Sequence, residues 1–313
     1  MAKILITGGA GFIGSNLAEK LNEQGQEVVV LDNLATGRLS NLKKIENQIE
    51  FIQGDICDRD FLRENFQGID FVFHLAALPG VFFSVKNPEQ CNKANIDGTL
   101  NVLLAARDNK VKRVIFASSS SVYGGAFAIN QEDQKPQPLS PYATSKITGE
   151  YYARNFYDLF GLETVCLRFF NVFGPHQNPS SEYAAVIPLF IKLALEGKQP
   201  IIFGDGEQSR DFTFVENVVD GMILAMNSPK AAGEVFNLAC GDNITVNRLA
   251  ETIGQILRKK ITPVYQDARP GDIYRSQANV DKIKTILGFT PKVNFEDGLA
   301  KTIAHLMSQN MSS

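Results

Sequence analysis

The chain has 313 residues, with 31 lysines and arginines against 34 aspartates and glutamates, a net charge of −3. Hydrophobic residues make up 44% and charged ones 21%, so one large or two ordinary domains can bury a core without disulfides or metals. The near-neutral balance excludes the clustered positive field of a nucleic-acid binder, and no apolar run approaches the roughly 20 residues of a membrane span.

Met1-Ala2-Lys3 passes straight into Ile4–Ile6 and then glycines, which leaves no room for a signal peptide and leads us to expect a cytoplasmic enzyme. Cys57, Cys91, Cys166 and Cys240 lack zinc or redox spacing and read as buried thiols of a reducing compartment. With only three histidines, no metal site is expected.

In chain order, Lys3–Thr7, Glu27–Leu31, Glu50–Gln53, Phe71–Leu75, Val114–Ser118 and Glu163–Arg168 are apolar runs typical of buried strands. Helical stretches over Ile13–Gln24, Pro88–Asn109 and Pro141–Phe160 fall between them. This alternation predicts a doubly wound α/β parallel sheet. Asn171–Ser181, with Gly174, Pro175 and Pro179, predicts a surface loop at a domain boundary. Helices over Ala185–Glu196, Val246–Lys259 and Phe295–Ser308 follow among shorter strands.

The first strand runs into Gly8-Gly9-Ala10-Gly11-Phe12-Ile13-Gly14 and then a helix. Glycines at the first, fourth and seventh positions permit a tight turn, close approach of backbone to a pyrophosphate and tight helix packing. The helix N-terminus offers N–H groups to phosphate. Asp32 ends the second strand, where a carboxylate accepts from an adenosine ribose and favours NAD over NADP. Tyr142 and Lys146, four apart at the start of a helix, share one face, and a neighbouring ammonium lowers a phenol from its usual pKa of about 10. Ser118–Ser121 end a strand at the carboxyl edge, where ligands bind in open α/β sheets. Taken singly, such a serine run is a loop and such a Tyr–Lys pair a surface feature; together, behind a dinucleotide fingerprint, they point to a catalytic site.

These motifs resemble the extended short-chain dehydrogenase/reductases, and within them the nucleotide-sugar 4-epimerases, over nearly the whole chain. The resemblance implies a Rossmann-type NAD domain over residues 1–170 and a smaller α/β nucleotide-sugar domain over 171–313, some of which returns to the main sheet. It assigns NAD to Gly8, Gly11, Phe12, Ile13, Gly14, Asp32, Asn33, Gly37, Asp55, Ile56, Leu75, Ala76, Ala77, Asn95, Tyr142 and Lys146, with Ser119, Tyr142 and Lys146 as the catalytic triad. It assigns the nucleotide sugar to Ser119, Ser120, Tyr142, Asn171, Gln177, Ala185, Val186, Phe203, Arg210, Arg269, Asp272 and Ser276. Guanidinium forks suit a diphosphate even in an acidic protein.

The implied reaction is inversion at C4 of a UDP-hexose through a 4-keto sugar with bound NAD, in a homodimer built on helices Pro88–Asn109 and Pro141–Phe160. Related 4,6-dehydratases carry an Asp–Glu pair where this chain has Ser120 and Ser121, which argues against dehydration. Epimerases restricted to glucose and galactose resemble one another in a tyrosine where Ser276 stands, and a serine leaves room for an N-acetyl group. The leading expectation is therefore UDP-GlcNAc/UDP-GalNAc, with UDP-Glc/UDP-Gal possible. A UDP-glucuronate 4-epimerase is the alternative, and a non-catalytic NAD sensor the alternative of another class. Pro79-Gly80 and Phe82-Phe83 depart from the small or basic residues expected beside the sugar. Of the histidines, His74 is expected to be packed and His305 to lie on an exposed helix, with His176 left undecided.

Overall fold

The computed structural model describes residues 1–125, 129–178, 185–268 and 273–311. Its first half runs β1 (Lys3–Thr7), α1 (Phe12–Glu23), β2 (Glu27–Asp32), β3 (Glu50–Gln53), α2 (Arg59–Asn65), β4 (Phe71–His74), α3 (Val81–Lys86), α4 (Pro88–Asn92), α5 (Gly98–Asp108), β5 (Arg113–Ser119), β6 (Ile129–Asn130), α6 (Pro141–Phe160) and β7 (Glu163–Phe169). The second half runs β8 (Val172–Phe173), α7 (Val186–Leu195), β9 (Ile201–Phe203), β10 (Ser209–Arg210), β11 (Thr213–Phe214), α8 (Val215–Asn227), β12 (Val235–Leu238), β13 (Ile244–Thr245), α9 (Val246–Leu257), β14 (Val264–Gln266), β15 (Arg275–Ala278), α10 (Asp281–Leu287) and α11 (Phe295–Met311).

Seven parallel strands form the main sheet in the order β12-β7-β5-β4-β1-β2-β3. Strand order reverses between β1 and β4, and a crevice opens at such a switch point beyond the carboxyl ends of the strands. Side chains alternate across the sheet. Leu5, Val29, Leu31, Val72 and Val114 pack with Val102, Leu103 and Ala106 of α5, while Ile4, Ile6, Val30, Phe73 and Ile115 pack with Leu17, Leu21 and the buried face of α8. Both faces are thus covered, which is why these strands read as continuous apolar runs.

The later chain returns to this sheet through β12, and otherwise builds a four-stranded sheet β13-β10-β15-β6 and two strand pairs, β11-β8 and β14-β9. Strands of two to four residues have too little periodicity to detect, so these small sheets were illegible in the sequence. Helix α8 was also missed because it is buried nearly all round, including Val215, Val218, Val219, Met222 and Met226, and so carries no polar stripe.

The single helix expected over Pro88–Asn109 is three pieces, with a π turn at Lys93–Asp97 between α4 and α5. Asn95, inside the π turn, explains it. Its Oδ1 accepts from Leu78 N at 2.8 Å, and its Nδ2 donates to Leu78 O at 3.1 Å and Ser145 Oγ at 3.1 Å. Such bulges commonly mark functional positions.

Candidate active site

Four carboxyl-end loops and the first two turns of α6 enclose a cavity of about 520 Å³ at the switch point. It is lined by Gly8, Gly11, Phe12, Ile13 and Gly14 from the β1–α1 turn, Asp32 and Asn33 after β2, and Asp55 and Ile56 after β3. Leu75, Ala76 and Ala77 after β4 and Tyr142 and Lys146 of α6 complete it.

The β1–α1 turn is as tight as its glycines suggest. Gly8 has φ +71°, and a Cβ on Gly14 would sit 2.4 Å from Gly8 O. Gly11 precedes α1 with no side-chain cap, so the first-turn N–H groups of Phe12, Ile13 and Gly14 have no helical acceptor and face a site suited to phosphate. Asp32 is held by Ala10 N at 3.0 Å and Leu34 N at 2.8 Å. Burial pushes its carboxyl up while those two N–H donors pull it down. Asn33 Nδ2 donates to Asp55 Oδ2 at 3.0 Å, tying the two adenosine-side loops together. Amide donors for phosphate, a carboxylate for ribose and an apolar lining from Leu31, Ile56 and Leu75 match the chemistry of NAD.

Two residues assigned to the cofactor lie behind the cavity rather than on its wall. Gly37 abuts the Asp32 carboxylate, where a Cβ would come within 2.8 Å of Oδ2, and Asn95 braces Leu78 through its π turn. Conversely, Thr36, Cys57, Lys93 and Ala117, which no motif marked, also line the cavity, as do Ser118 of the serine run and Phe169.

Ser140 caps α6 by accepting from Ala143 N at 3.1 Å, with Pro141 in the first turn. The helix therefore starts where Tyr142 faces the cavity. Lys146 is buried, donates from Nζ to Ala117 O at 2.7 Å and lies 5.8 Å from the Tyr142 ring. Burial pushes the Tyr142 phenol up to about 12, against a hydrogen bond with the Ser119 hydroxyl that lowers it. Burial likewise pulls Lys146 down to about 8, against the Cys91 and Glu150 charges. Here the desolvation cost of the phenolate outweighs the Ser119 hydrogen bond, so the expected lowering of Tyr142 needs positive charge in the cavity.

One turn beyond Lys146, Glu150 begins a buried polar network the sequence did not reveal. It accepts from Ser118 Oγ and from Arg168 Nε at 2.9 Å and Nη2 at 2.7 Å. Arg168 Nη1 donates to Tyr123 Oη at 2.8 Å, which donates to Asn237 Oδ1 at 2.7 Å. The network joins α6, β5, β7 and β12 beneath the catalytic edge.

The residues that the resemblance assigns to the nucleotide sugar gather more loosely. Asn171, at φ 29°, donates from Nδ2 to Asp211 O at 3.4 Å. Arg210 and Ser276 are register partners on β10 and β15, and Asp211 N donates to Ser276 O at 2.9 Å. Asp211 fixes this junction, accepting from the N–H groups of Cys240, Gly241 and Ala278 at 3.1, 2.9 and 3.2 Å. Burial pushes its carboxyl up to about 7 against those three donors. Gln177 donates to Val172 O at 3.2 Å, and its buried Oε1 has no hydrogen-bond partner among the described residues. Ser120 opens the short turn after β5, Ala185 and Val186 begin α7, and Phe203 ends β9 with its carbonyl bound by Gln208 Nε2 at 2.7 Å. Arg269 and Asp272 lie outside the described residues, as do Tyr183 and Ala184. Pro79 lines the cofactor cavity, and Gly80, at φ 105°, starts α3, whose Phe82 points outward. His74 is packed, its ring between Thr7 Oγ1 at 2.7 Å and Thr99 Oγ1 at 2.9 Å.

Residues 4–239 match the profile of the NAD dependent epimerase/dehydratase family. The chain belongs to this family. A putative UDP-glucose 4-epimerase of Methanocaldococcus jannaschii is 37% identical to this epimerase-family chain over 310 residues, 98% of this chain and 99% of the relative. Among solved structures, the UDP-N-acetylglucosamine 4-epimerase of Methanobrevibacter ruminantium M1, in complex with UDP-N-acetylmuramic acid, superposes with TM-score 0.94 at 41% identity, covering 98% of this chain and 99% of that one. The UDP-glucuronic acid 4-epimerase of Bacillus cereus, in complex with UDP-glucuronic acid and NAD, gives TM-score 0.91 at 34% identity, covering 98% and 99%. This family member is an enzyme with NAD as its cofactor. No helix among its described residues is long and apolar enough to cross a membrane.

Proposed function

We propose that the enzyme interconverts UDP-GlcNAc and UDP-GalNAc by inversion at C4, with UDP-Glc and UDP-Gal as poorer substrates. At the level of reaction class it is an NAD-dependent UDP-sugar 4-epimerase, the kind of activity named for the relatives above. Bound in this cavity, NAD would supply the hydride acceptor and donor for C4, the chemistry by which the sugar would pass through a planar 4-keto form. Tyr142 takes the proton from the 4-hydroxyl and gives it back, and Ser119, its hydrogen-bond partner, orients that hydroxyl. Lys146 holds positive charge below the phenol, with its amine anchored on Ala117 O. The N–H groups opening α1 bind the cofactor pyrophosphate and Asp32 its ribose. Arg210, Arg269 and Asp272 hold UDP, the two arginines on its diphosphate, and Asn171 and Gln177 bind the sugar side.

The choice of sugar rests on Ser276. It is in register with Arg210 on β15, and a hydroxymethyl side chain leaves space for a C2 N-acetyl group where a tyrosine would fill it. Ser276→Tyr is expected to lower kcat/KM for UDP-GlcNAc at least about ten-fold while UDP-Glc changes by less than about three-fold, since pocket contacts of this size discriminate by that order. Equal losses on both sugars would remove Ser276 as the determinant. The homodimer remains part of the proposal, with Tyr151, Leu159 and Phe160 on the outer side of α6 available to a second copy; light scattering of the purified protein tests it.

A further inference from the structure

The loop after β8 is fastened from two sides. Asn16 Nδ2 of α1 donates to Pro175 O at 3.1 Å, and Ser15 Oγ lies 2.8 Å from His176 Nδ1. From the other side, His176 N donates to Nε2 of His305 on α11 at 3.3 Å, with the two imidazole rings 5.0 Å apart. His305 is half-buried rather than exposed as the helix pattern suggested, because it covers this loop. His176 itself has φ 72°, a left-handed conformation that a non-glycine residue keeps only when its surroundings hold it.

The donors fix the protonation state. A backbone N–H only donates, so His305 Nε2 must be unprotonated, and its proton sits on Nδ1. Ser15 Oγ donates to Phe12 O at 3.2 Å, which leaves it to accept from His176 Nδ1–H; that contact survives in either charge state of His176. Protonating His305 instead sets N–H against N–H.

We propose that His305 is a positioning residue for substrate binding: its neutral ring accepts the His176 N–H and ties the Gly174–Gln177 loop to α11, while Asn16 and Ser15 hold it to α1, a clasp that acid opens. The loop follows β8 and lies against α1 through Asn16 and Ser15, so the clasp couples the helix that faces the phosphates to the segment bearing Gln177. The proposal rests on the reading of Gln177 and Asn171 as sugar-side residues.

The charged groups facing the pair are Glu19 of α1 and Lys44, which pairs with Glu19 at 2.9 Å. Lys301, one turn back on α11, is bound to Glu216. Burial lowers both histidines, with Glu19 opposing it at each. A released His305 regains the ordinary imidazole value near 6.5, so opening takes up a proton. The clasp is therefore intact above about pH 7 and weakens as pH falls through about 6.5.

The test compares NAD-loaded wild type with His305→Ala and His305→Gln, whose amide oxygen offers an acceptor that does not titrate. KM and kcat for UDP-GlcNAc are measured from pH 8 to 5.5. At pH 8, His305→Ala is expected to raise KM about ten-fold with kcat within about two-fold, the loss of one hydrogen bond felt in binding. His305→Gln is expected to keep a near wild-type KM and to hold it flat to pH 6, while wild type rises toward the alanine variant. An unchanged KM in His305→Ala at pH 8, or the same acid rise in His305→Gln as in wild type, overturns the proposal. The Kd of UDP, by calorimetry, is expected to stay within about two-fold, which separates loop positioning from general unfolding; a parallel loss of UDP binding and thermal stability overturns it. If wild type turns over only another UDP-hexose, the sugar assignment fails, and the same series on that hexose decides the clasp.

Discussion

Tyr142→Phe is expected to lower kcat by about 10²–10⁴-fold, the range contributed by a positioned proton-transfer group, with NAD and UDP-sugar binding retained. The phenylalanine fills the same space, so α6 keeps its Ser140 cap and Lys146 keeps Ala117 O. Only the hydroxyl shared with Ser119 is lost. A phenol pushed up to about 12 by burial holds its proton firmly, which suits returning a proton to a developing alkoxide and requires nearby positive charge for taking one. Steady-state rates with calorimetric binding of UDP distinguish this from misfolding. Undiminished turnover would move the acid–base role elsewhere.

Arg168→Met is expected to destabilise the fold by about 3–5 kcal/mol, the usual consequence of stranding a buried charge. The side chains of Arg168 and Glu150 are 4% and 5% exposed and share two hydrogen bonds. Without the guanidinium, Glu150 keeps only Ser118 Oγ, and Tyr123 loses a donor. For a chain of this size the shift in Tm is roughly 5–8 °C. Replacing both partners, with Glu150→Leu added, is expected to recover more than half of it, because no uncompensated charge remains. Calorimetric unfolding of the single and double variants checks the pair; a single variant melting within about 2 °C of wild type would mean that the network contributes little.

What the sequence disclosed was whatever is written locally. The glycine turn, Asp32 at a strand end, and Tyr142 four residues before Lys146 each depend on near neighbours, and the cavity wall repeats them. Contacts between distant segments were silent. Arg168 meets Glu150 across 18 residues and Tyr123 across 45, Asn237 arrives from β12, and His305 reaches His176 over 129 residues. The break in the long helix before α5 was equally hidden, since it depends on Asn95 reaching Leu78 in another loop. Net charge was informative only about the outer surface. A chain of charge −3 can still offer anions a site, because a helix N-terminus such as that of α1 supplies amides and dipole rather than side-chain charge.

The central claim is tested most directly by incubating the NAD-loaded protein separately with UDP-GlcNAc, UDP-Glc and UDP-GlcA and identifying products by NMR. The expected result is UDP-GalNAc from UDP-GlcNAc with the highest kcat/KM, slower UDP-Gal from UDP-Glc, and no epimer of UDP-GlcA. Epimerisation of UDP-GlcA with UDP-GlcNAc left unchanged would contradict it.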